Sequence, residues 1–527
     1  MKIVHAIFYM LVCLSAVPVR AQQQTDIRMD ADEFWWGGAT ALGTVMPFKA
    51  LPPFNLTNEN ANNQVSGMLL SNRGRYIWSE RPFRFSVSEG VIHVLSDYEK
   101  IKVEQSGTTL RDAYLRLSKR YFPPSGRLPD TLFFSRPQYN TWIELMYDQN
   151  QADILDYARR LLANGLPPGI LMIDGNWQRY YGNFEFKSER FSDPKAMVDS
   201  LHRRGFKVML WISPFVTADS PEYRALAESG FLLRDATGQP AIIRWWNGQS
   251  ACFDMTNPMA VDYLEQTLKA VMHRYGIDGF KFDGGDNTFY DRSDLRPHRA
   301  DAVSTDQTRG WAALGCRFRF NEYRACWQMG GRELVQRLGD KEYSWKAVSS
   351  LIPDMISAGL LGYAYTCPDM IGGGSFKSFL DIDADKFDQE LIVRSAEIHA
   401  LMPMMQFSVA PWRILDERNM QTVRRMARLH VAMGPYILTC AEQSARTGEP
   451  IVRSLEYAFP HQGYENIKDQ YMLRFMVAPM VTKGTQRRVV FPPGLWKGDD
   501  GHIYRGGRIV VQDVPLDRLP YFERLNQ

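Results

Sequence analysis

Cysteine is scarce in this chain, with six in 527 residues. None forms a CxxC pair or stands near histidine at a zinc spacing, which sets aside the common zinc modules, and the density is too low for a disulfide framework. Cys316 and Cys326 are the pair spaced to join in an oxidising compartment. An excess of one charge sign is missing too. The 62 Lys and Arg against 59 Asp and Glu leave +3, which argues against a nucleic-acid or polyanion partner. No GxGxxG opens a helix after the first strand of the α/β region, no GxSxG elbow occurs, and IGGGSF near 371 lacks a Lys-Ser/Thr after its glycines. A dinucleotide fold, a serine-hydrolase elbow and a P-loop are thereby disfavoured, and close backbone packing accounts better for the glycines at 371. Internal repeats and low-complexity tracts are absent.

Long apolar runs are lacking as well. The mostly apolar run from Ile3 to Val17 is shorter than the roughly 20 residues that cross a bilayer. Preceded by Lys2 and followed by Val-Arg-Ala and a polar QQQ, it predicts a signal peptide over 1–21, cleaved after Ala21. Cys13 follows Met-Leu-Val, without the small residue expected before a lipidated cysteine. The expectation is an exported protein, periplasmic or extracellular, with no membrane span.

What is present is the balance of a globular protein with substantial cores, 45% hydrophobic and 23% charged. Aromatic residues reach 13%, with 13 Trp and 24 Tyr, which suits either sugar-stacking platforms or large cores. Residues 22–125 carry short alternating segments such as GRYIWSE, FRFSVSE and VIHVLSDY, which predict an N-terminal β-sandwich-like domain. A helical stretch, LRDAYLRLSKRYF, follows, and PPSGRLPD from Pro123 marks a boundary.

Over 126–440 strands alternate with amphipathic helices. Six strands are expected at YNTWIEL, GILMIDGNW, KVMLWISPF, GFKFDGG, RACWQM and LGYAYTCPDM, and two more near VQRLGD and LMPMMQFSV. DILDYARRLLANG and PKAMVDSLHRRG carry apolar residues at helical spacing and end in Gly. The fold class is therefore α/β, a (β/α)8 TIM barrel with an insertion near 220–250, with a doubly wound sheet as the alternative. Residues 441–527 read as a small C-terminal β domain.

The stretch GIDGFKFDGGDN, 276–287, ends an apolar strand in Asp283 and Asp286. In a parallel barrel such a strand end faces the mouth where chemistry is done, although Asp-Gly-Gly-Asp is also an ordinary turn. Other polar residues fall at strand ends. Asp174 and Trp177 end the second strand, Trp211 sits in the third, Arg324 opens the fifth, Asp340 ends the sixth and Asp369 the seventh. Two acids facing each other across an aromatic pocket suit glycoside hydrolysis, and a separation of about 5 Å predicts retention of configuration. Lys281 shares a strand face with Asp283 and so points into the mouth beside it. A divalent cation on Asp283, Asp286 and Asp291 is weighed and disfavoured, because their spacing fits no cation loop. No cofactor is expected.

These residues resemble glycoside hydrolase family 31 over nearly the whole mature chain. The resemblance rests on GILMIDGNWQRYYGNFEFKSERFSDPKAM, FKFDGGD, RLGDKEYSW, SLIPDMISAGLLGYAYTCPDMIGG and the C-terminal VAPMV, FPPGLW and LPYFER. It implies Asp283 as nucleophile and Asp340 as general acid/base, with Asp340 protonated near neutral pH in apolar or anionic surroundings. IIRWWNGQSACFDMTNP and the spacing from Arg324 to Asp340 are similar to the family's α-galactosidase-like branch. That similarity implies Trp246 and Arg324 as holders of the sugar, with Asp174, Trp177, Trp211, Lys281 and Asp369 around it. Pro368 and Gly284 depart from other branches, which speaks against an α-glucosidase or α-xylosidase. A distal C-terminal domain common in the family has no counterpart in the resemblance. The implied activity is retaining hydrolysis of terminal α-galactose on oligosaccharides. The residues by themselves reach only a two-carboxylate, carbohydrate-active barrel, with a non-catalytic sugar-binding protein as the other class.

Overall fold

The computed structural model describes residues 22–58, 63–380 and 386–525. Residues 1–21, where a signal peptide is expected, lie outside them. At the N-terminus two antiparallel sheets face each other. One orders Gln23–Arg28, Val91–Ser96, Arg84–Ser88 and Leu51–Asn55. The other is built on Gln64–Ser71, buried along its whole length, flanked by Trp35–Ala39 and Arg75–Trp78. Alternating apolar side chains on Arg84–Ser88 and Val91–Ser96 bury Phe85, Val87, Ile92 and Val94 between the layers. Helix Leu110–Tyr121 starts on a capping box in which Thr109 and Asp112 satisfy each other's backbone N–H groups.

The barrel strands are β1 (Gln138–Asn140), β2 (Ile170–Ile173), β3 (Lys207–Ile212), β4 (Gly279–Phe282), β5 (Phe320–Tyr323), β6 (Gln336–Arg337), β7 (Thr366–Cys367) and β8 (Gln406–Phe407). All pairings are parallel, running from β7 down to β1 and on to β8. Between β7 and β8 the Ile371 N–H donates to the Gln406 carbonyl at 2.8 Å, so the barrel is nearly closed. The expected helices form over Gln151–Ala163 and Pro194–Arg203, capped by Asn150 and Asp193.

One strand assignment needs correction. RACWQM is not the fifth barrel strand, which is β5, and Arg324 follows that strand rather than opening it. Cys326–Trp327 instead pairs in parallel with Gln64 and Val65 of the N-terminal sheet. The barrel thereby donates a strand to its neighbour domain and fixes the two together.

After β3 the chain builds a small antiparallel sheet from Phe215–Thr217, Ile243–Trp245 and Gly248–Cys252. Its core stacks Phe215 on Trp245 at 4.3 Å between ring centres. The turn of its hairpin carries Trp246 and Asn247 over the barrel mouth.

Helix Glu417–Thr447 ends at Gly448, whose φ of 79° closes it, and the remaining chain forms a β domain on the barrel's flank. Arg394, fully buried, fastens that domain. Its guanidinium donates to the carbonyls of Gly484 (2.9 Å) and Val514 (2.8 Å) and pairs with Glu397 at 3.0 Å. The five described cysteines, Cys316 and Cys326 included, are free thiols. No helix among the described residues is long and apolar enough to cross a membrane.

Candidate active site

Parallel register decides which side chains meet at the barrel mouth. Trp211 of β3, Lys281 of β4 and Glu322 of β5 lie side by side in the ladder. Parallel neighbours in register share a face, so all three are directed alike. Asp174, one residue past β2, reaches the same level, and Lys281 Nζ donates to its Oδ2 at 2.7 Å. The Gly175 N–H donates to the other oxygen at 2.8 Å. Burial works against the charge on Lys281, but Asp174, joined by Asp283 and Glu322, more than offsets it and holds the ammonium above its usual range.

Asp283 follows β4 directly. Its Oδ2 accepts from Trp211 Nε1 at 2.7 Å, its Oδ1 accepts from the Gly284 N–H at 2.9 Å, and Arg324 Nε stands 3.9 Å away. Burial pushes this carboxyl up, yet the Lys281 and Arg324 cations and the Trp211 bond more than offset it. The net result is a carboxyl below its ordinary value. Asp286 behaves oppositely. Buried to 2% exposure, it accepts from Arg324 Nε at 3.2 Å, and burial dominates to raise it. The two acids of this stretch thus differ in charge preference although they are three residues apart. Asp291 has left the site and accepts from Thr57 of the N-terminal domain at 2.9 Å.

Asp340 stands on the loop after β6 with its side chain 37% exposed. Its surroundings carry both signs where apolar or anionic ones are expected: Arg337 Nη1 donates to its Oδ1 at 2.7 Å, and the Asp369 carboxylate accepts from the same nitrogen. Arg337, which no sequence pattern singles out, belongs to the site. Buried to 2% exposure, it also donates to Asp369 Oδ1 at 2.8 Å and lies 3.5 Å from Glu322. Asp369 itself sits behind the site, fully buried, at a φ of 70°. Its second oxygen accepts from the N–H groups of Lys341 (2.8 Å) and Gly374 (3.0 Å), which ties down the loop bearing Asp340. Burial, opposed by Arg337 and reinforced by Asp340, pushes the Asp369 carboxyl up to about 6. The glycines at 372–374 pack as expected: a Cβ on Gly373 would fall 2.3 Å from the Lys341 carbonyl oxygen, and one on Gly374 2.8 Å from Asp340.

Asp174, Trp211, Trp246, Lys281, Asp283, Arg324 and Asp340 line one cleft of about 450 Å³, the size of a small-ligand site. Trp177 and Asp369 do not line it. Trp177 is fully buried, and its Nε1 donates to the Trp211 carbonyl at 2.7 Å, so it props the strand that carries Trp211. Trp246 is 45% exposed and faces the Arg324 guanidinium at 5.2 Å. Trp142, Tyr147, Asn247 and Phe376 also line it. Trp142 opens the short helix Trp142–Leu145, Phe376 opens the 3-10 turn Phe376–Phe379, and Tyr147 and Asn247 sit in turns; no periodicity announces them, and the barrel geometry gathers them.

Two comparisons of sequence with families agree with this geometry. Residues 134–440 match the glycosyl hydrolases family 31 TIM-barrel domain, and residues 448–527 match the family's C-terminal domain. The chain is 28% identical to the myogenesis-regulating glycosidase of Mus musculus, covering 96% of this chain and 76% of that protein. It is 25% identical to an α-xylosidase of Emericella nidulans over 73% of this chain, spanning about half of that relative (52%). Among solved structures, the family 31 dextranase FjDex31A of Flavobacterium johnsoniae, complexed with glucose, superposes with a TM-score of 0.85. The match covers 95% of this chain and 66% of that one at 19% identity, a likeness of fold.

Proposed function

The chain belongs to glycosyl hydrolase family 31 and is a glycosidase, and from that premise we propose that it is a retaining hydrolase of terminal α-linked galactose on oligosaccharides. The observation that carries the hydrolytic reading is the pair of carboxylates on one cleft. Asp283 is kept anionic by Lys281, Arg324 and Trp211, while Asp340 stands on a partly open loop.

In the first step an Asp283 oxygen attacks the anomeric carbon, the bond to the leaving oxygen breaks, and Asp340 gives that oxygen its proton. The result is a sugar esterified to Asp283. In the second step the Asp340 carboxylate takes a proton from water as the water attacks the same carbon, and the Asp283 carboxylate leaves with net retention. Asp174, Lys281 and Arg324 supply the acceptors and donors that grip sugar hydroxyls, and Trp246 offers a ring face. Such paired polar groups reject an epimer more strongly than an apolar wall does.

The choice of galactose is supported by the similarity of IIRWWNGQSACFDMTNP and FKFDGGD to the α-galactosidase-like branch. An α-glucosidase or α-xylosidase is the second reading, and the match to an α-xylosidase favours it. Export of the mature protein is part of the proposal and is supported by the pattern of residues 1–21.

The test is hydrolysis of nitrophenyl α-galactoside, α-glucoside and α-xyloside side by side. The galactoside should be cleaved fastest; a faster glucoside or xyloside overturns the sugar, and no cleavage of any leaves a binding protein. Asp283→Asn should lower turnover by about 10²–10⁴-fold or more, and azide should rescue Asp340→Ala, since loss of a positioned acid or nucleophile carries terms of that size. Full activity of Asp283→Asn sinks the mechanism.

A further inference from the structure

One buried amide of the N-terminal domain reaches both arginines of the cleft. Gln64 is fully buried and opens the strand against which Cys326–Trp327 pairs. Its Nε2 donates to the Arg324 carbonyl at 2.7 Å and to the Arg337 carbonyl at 2.9 Å. Resting on the hydrolytic reading above, we infer that Gln64 is a positioning residue for the reaction. Its amide sets the spacing between the arginine beside the nucleophile and the arginine beside the acid.

The two carbonyls lie just past the pairing of β5 with β6. Tyr323 stands opposite Gln336 in that pairing, so Arg324 and Arg337 are the next residue of each strand. A side-chain amide nitrogen carries two N–H donors, and here each meets its own carbonyl. The partners also fix which way the amide points. Its Oε1 accepts from Thr40 Oγ1 at 3.3 Å, whereas a flipped amide would set that oxygen against two carbonyls.

Each arginine serves a different acid. Arg324 Nε lies 3.2 Å from Asp286 and 3.9 Å from Asp283, and Arg337 Nη1 donates to Asp340 at 2.7 Å. The two guanidiniums thus face opposite sides of the chemistry while their backbones hang on one nitrogen. A displacement of about 1 Å in such groups costs up to about 10²-fold in rate. No described residue of the N-terminal domain lines the cleft itself, so this domain acts on it through the two backbones.

Holding the domains together does not require the amide. Backbone bonds do that already, from the Cys326 N–H to the Asn63 carbonyl at 3.0 Å and from the Gln328 N–H to the Val65 carbonyl at 3.2 Å. Tyr363 Oη adds a third, donating to the Val65 carbonyl at 2.8 Å.

The test uses the full chain and three variants, assayed below each protein's unfolding midpoint on the nitrophenyl α-glycoside that the parent cleaves fastest. Gln64→Met keeps the length and removes both donors. Gln64→Asn keeps the donors on a shorter side chain that cannot span both carbonyls. Val65→Ala, at the neighbouring buried position, weakens the packing of the same strand and leaves both arginine carbonyls bonded. Gln64→Met should lose at least about tenfold in kcat/KM, and Gln64→Asn about three- to tenfold. In both, the acidic limb of the kcat/KM profile should move to higher pH, because a displaced Arg324 leaves Lys281, Trp211 and Arg337 to hold Asp283 ionised against burial and the neighbouring Asp286. Val65→Ala should lower the unfolding midpoint yet keep kcat/KM within about twofold and the limb in place. Should Gln64→Met fail to fold, Gln64→Asn decides. A folded Gln64 variant with parental kcat/KM and an unmoved limb overturns the inference, and so does a Val65→Ala protein that shows the same losses. A parent that cleaves none of the glycosides fails the hydrolytic reading itself, and the positioning role falls with it.

Discussion

The Trp211 indole donates its Nε1–H to Asp283 Oδ2 at 2.7 Å, while the Trp211 carbonyl accepts from Trp177 at 2.7 Å. The carboxylate is therefore aimed by a tryptophan that is itself held in place by a second one beneath it. Charge-assisted bonds of this kind are worth about 1.5–3 kcal/mol.

Trp211→Phe keeps the ring and removes the donor. Because the bond favours the ionised form, its loss raises the Asp283 carboxyl, and the acidic limb of the kcat/KM profile should move to higher pH. Turnover at the optimum should fall by about 10–100-fold, the same bond expressed as a rate. A pH–rate profile of the variant checks both, and an unmoved acidic limb means that the indole does not govern the charge on Asp283.

Lys281 and Asp174 form an ion pair in which both side chains are 5% exposed. Lys281→Met leaves Asp174 buried without its cation, a loss that costs about 3–5 kcal/mol in stability. The double variant Lys281→Met, Asp174→Leu should regain much of it, because no charge is then stranded. Thermal unfolding of the three proteins measures this. The single change should also shift the acidic limb upward, since Lys281 is the largest favourable charge on Asp283.

Tyr147 Oη–H donates to Asn247 Oδ1 at 2.7 Å, and Asn247 Nδ2 donates to Tyr181 Oη at 2.8 Å. This bridge pins the hairpin turn that holds Trp246 to the loop after β1. Tyr147→Phe frees the turn, so KM should rise about three- to tenfold with kcat within about twofold, as befits one neutral hydrogen bond acting on substrate binding. A fall in kcat with KM unchanged assigns Tyr147 instead to the reacting centre.

Much of this site was legible in local pattern, because strand ends in a parallel barrel have a fixed meaning. An acid at the end of FKF reaches the mouth whatever the loops do, and Lys281 two residues earlier shares its face. What local pattern lacks is partnership. RACWQM is extended and apolar, as read, but its hydrogen bonds go to Gln64 and Val65 in another domain, which no periodicity records. The resemblance places Trp177 around the sugar with Asp174, yet the chain turns at Asn176, φ 73°, and the ring goes into the core. Arg337 has no local signal, because a charged residue in a two-residue strand carries no alternation. Its meaning appears when Glu322 of β5, Asp340 of the loop after β6 and Asp369 past β7 converge on it.

Glu397 gives a stability prediction away from the cleft. Burial, opposed by its Arg394 partner, pushes its carboxyl up to about 8 from an ordinary value of 4.5. The folded protein then holds that proton more tightly than the unfolded chain does. Stability from this group is complete below pH 4.5 and is lost progressively as pH rises toward about 8. Glu397→Gln keeps the shape and removes the titration, so denaturant unfolding of the variant should be flatter than the parent between those two pH values. At pH 8 and above the variant should be the more stable of the two, since it spares the folded state a buried charge, while Arg394 keeps the Gly484 and Val514 carbonyls. A variant that follows the parent's pH slope throughout the window shows that Glu397 stays ionised against Arg394 when folded.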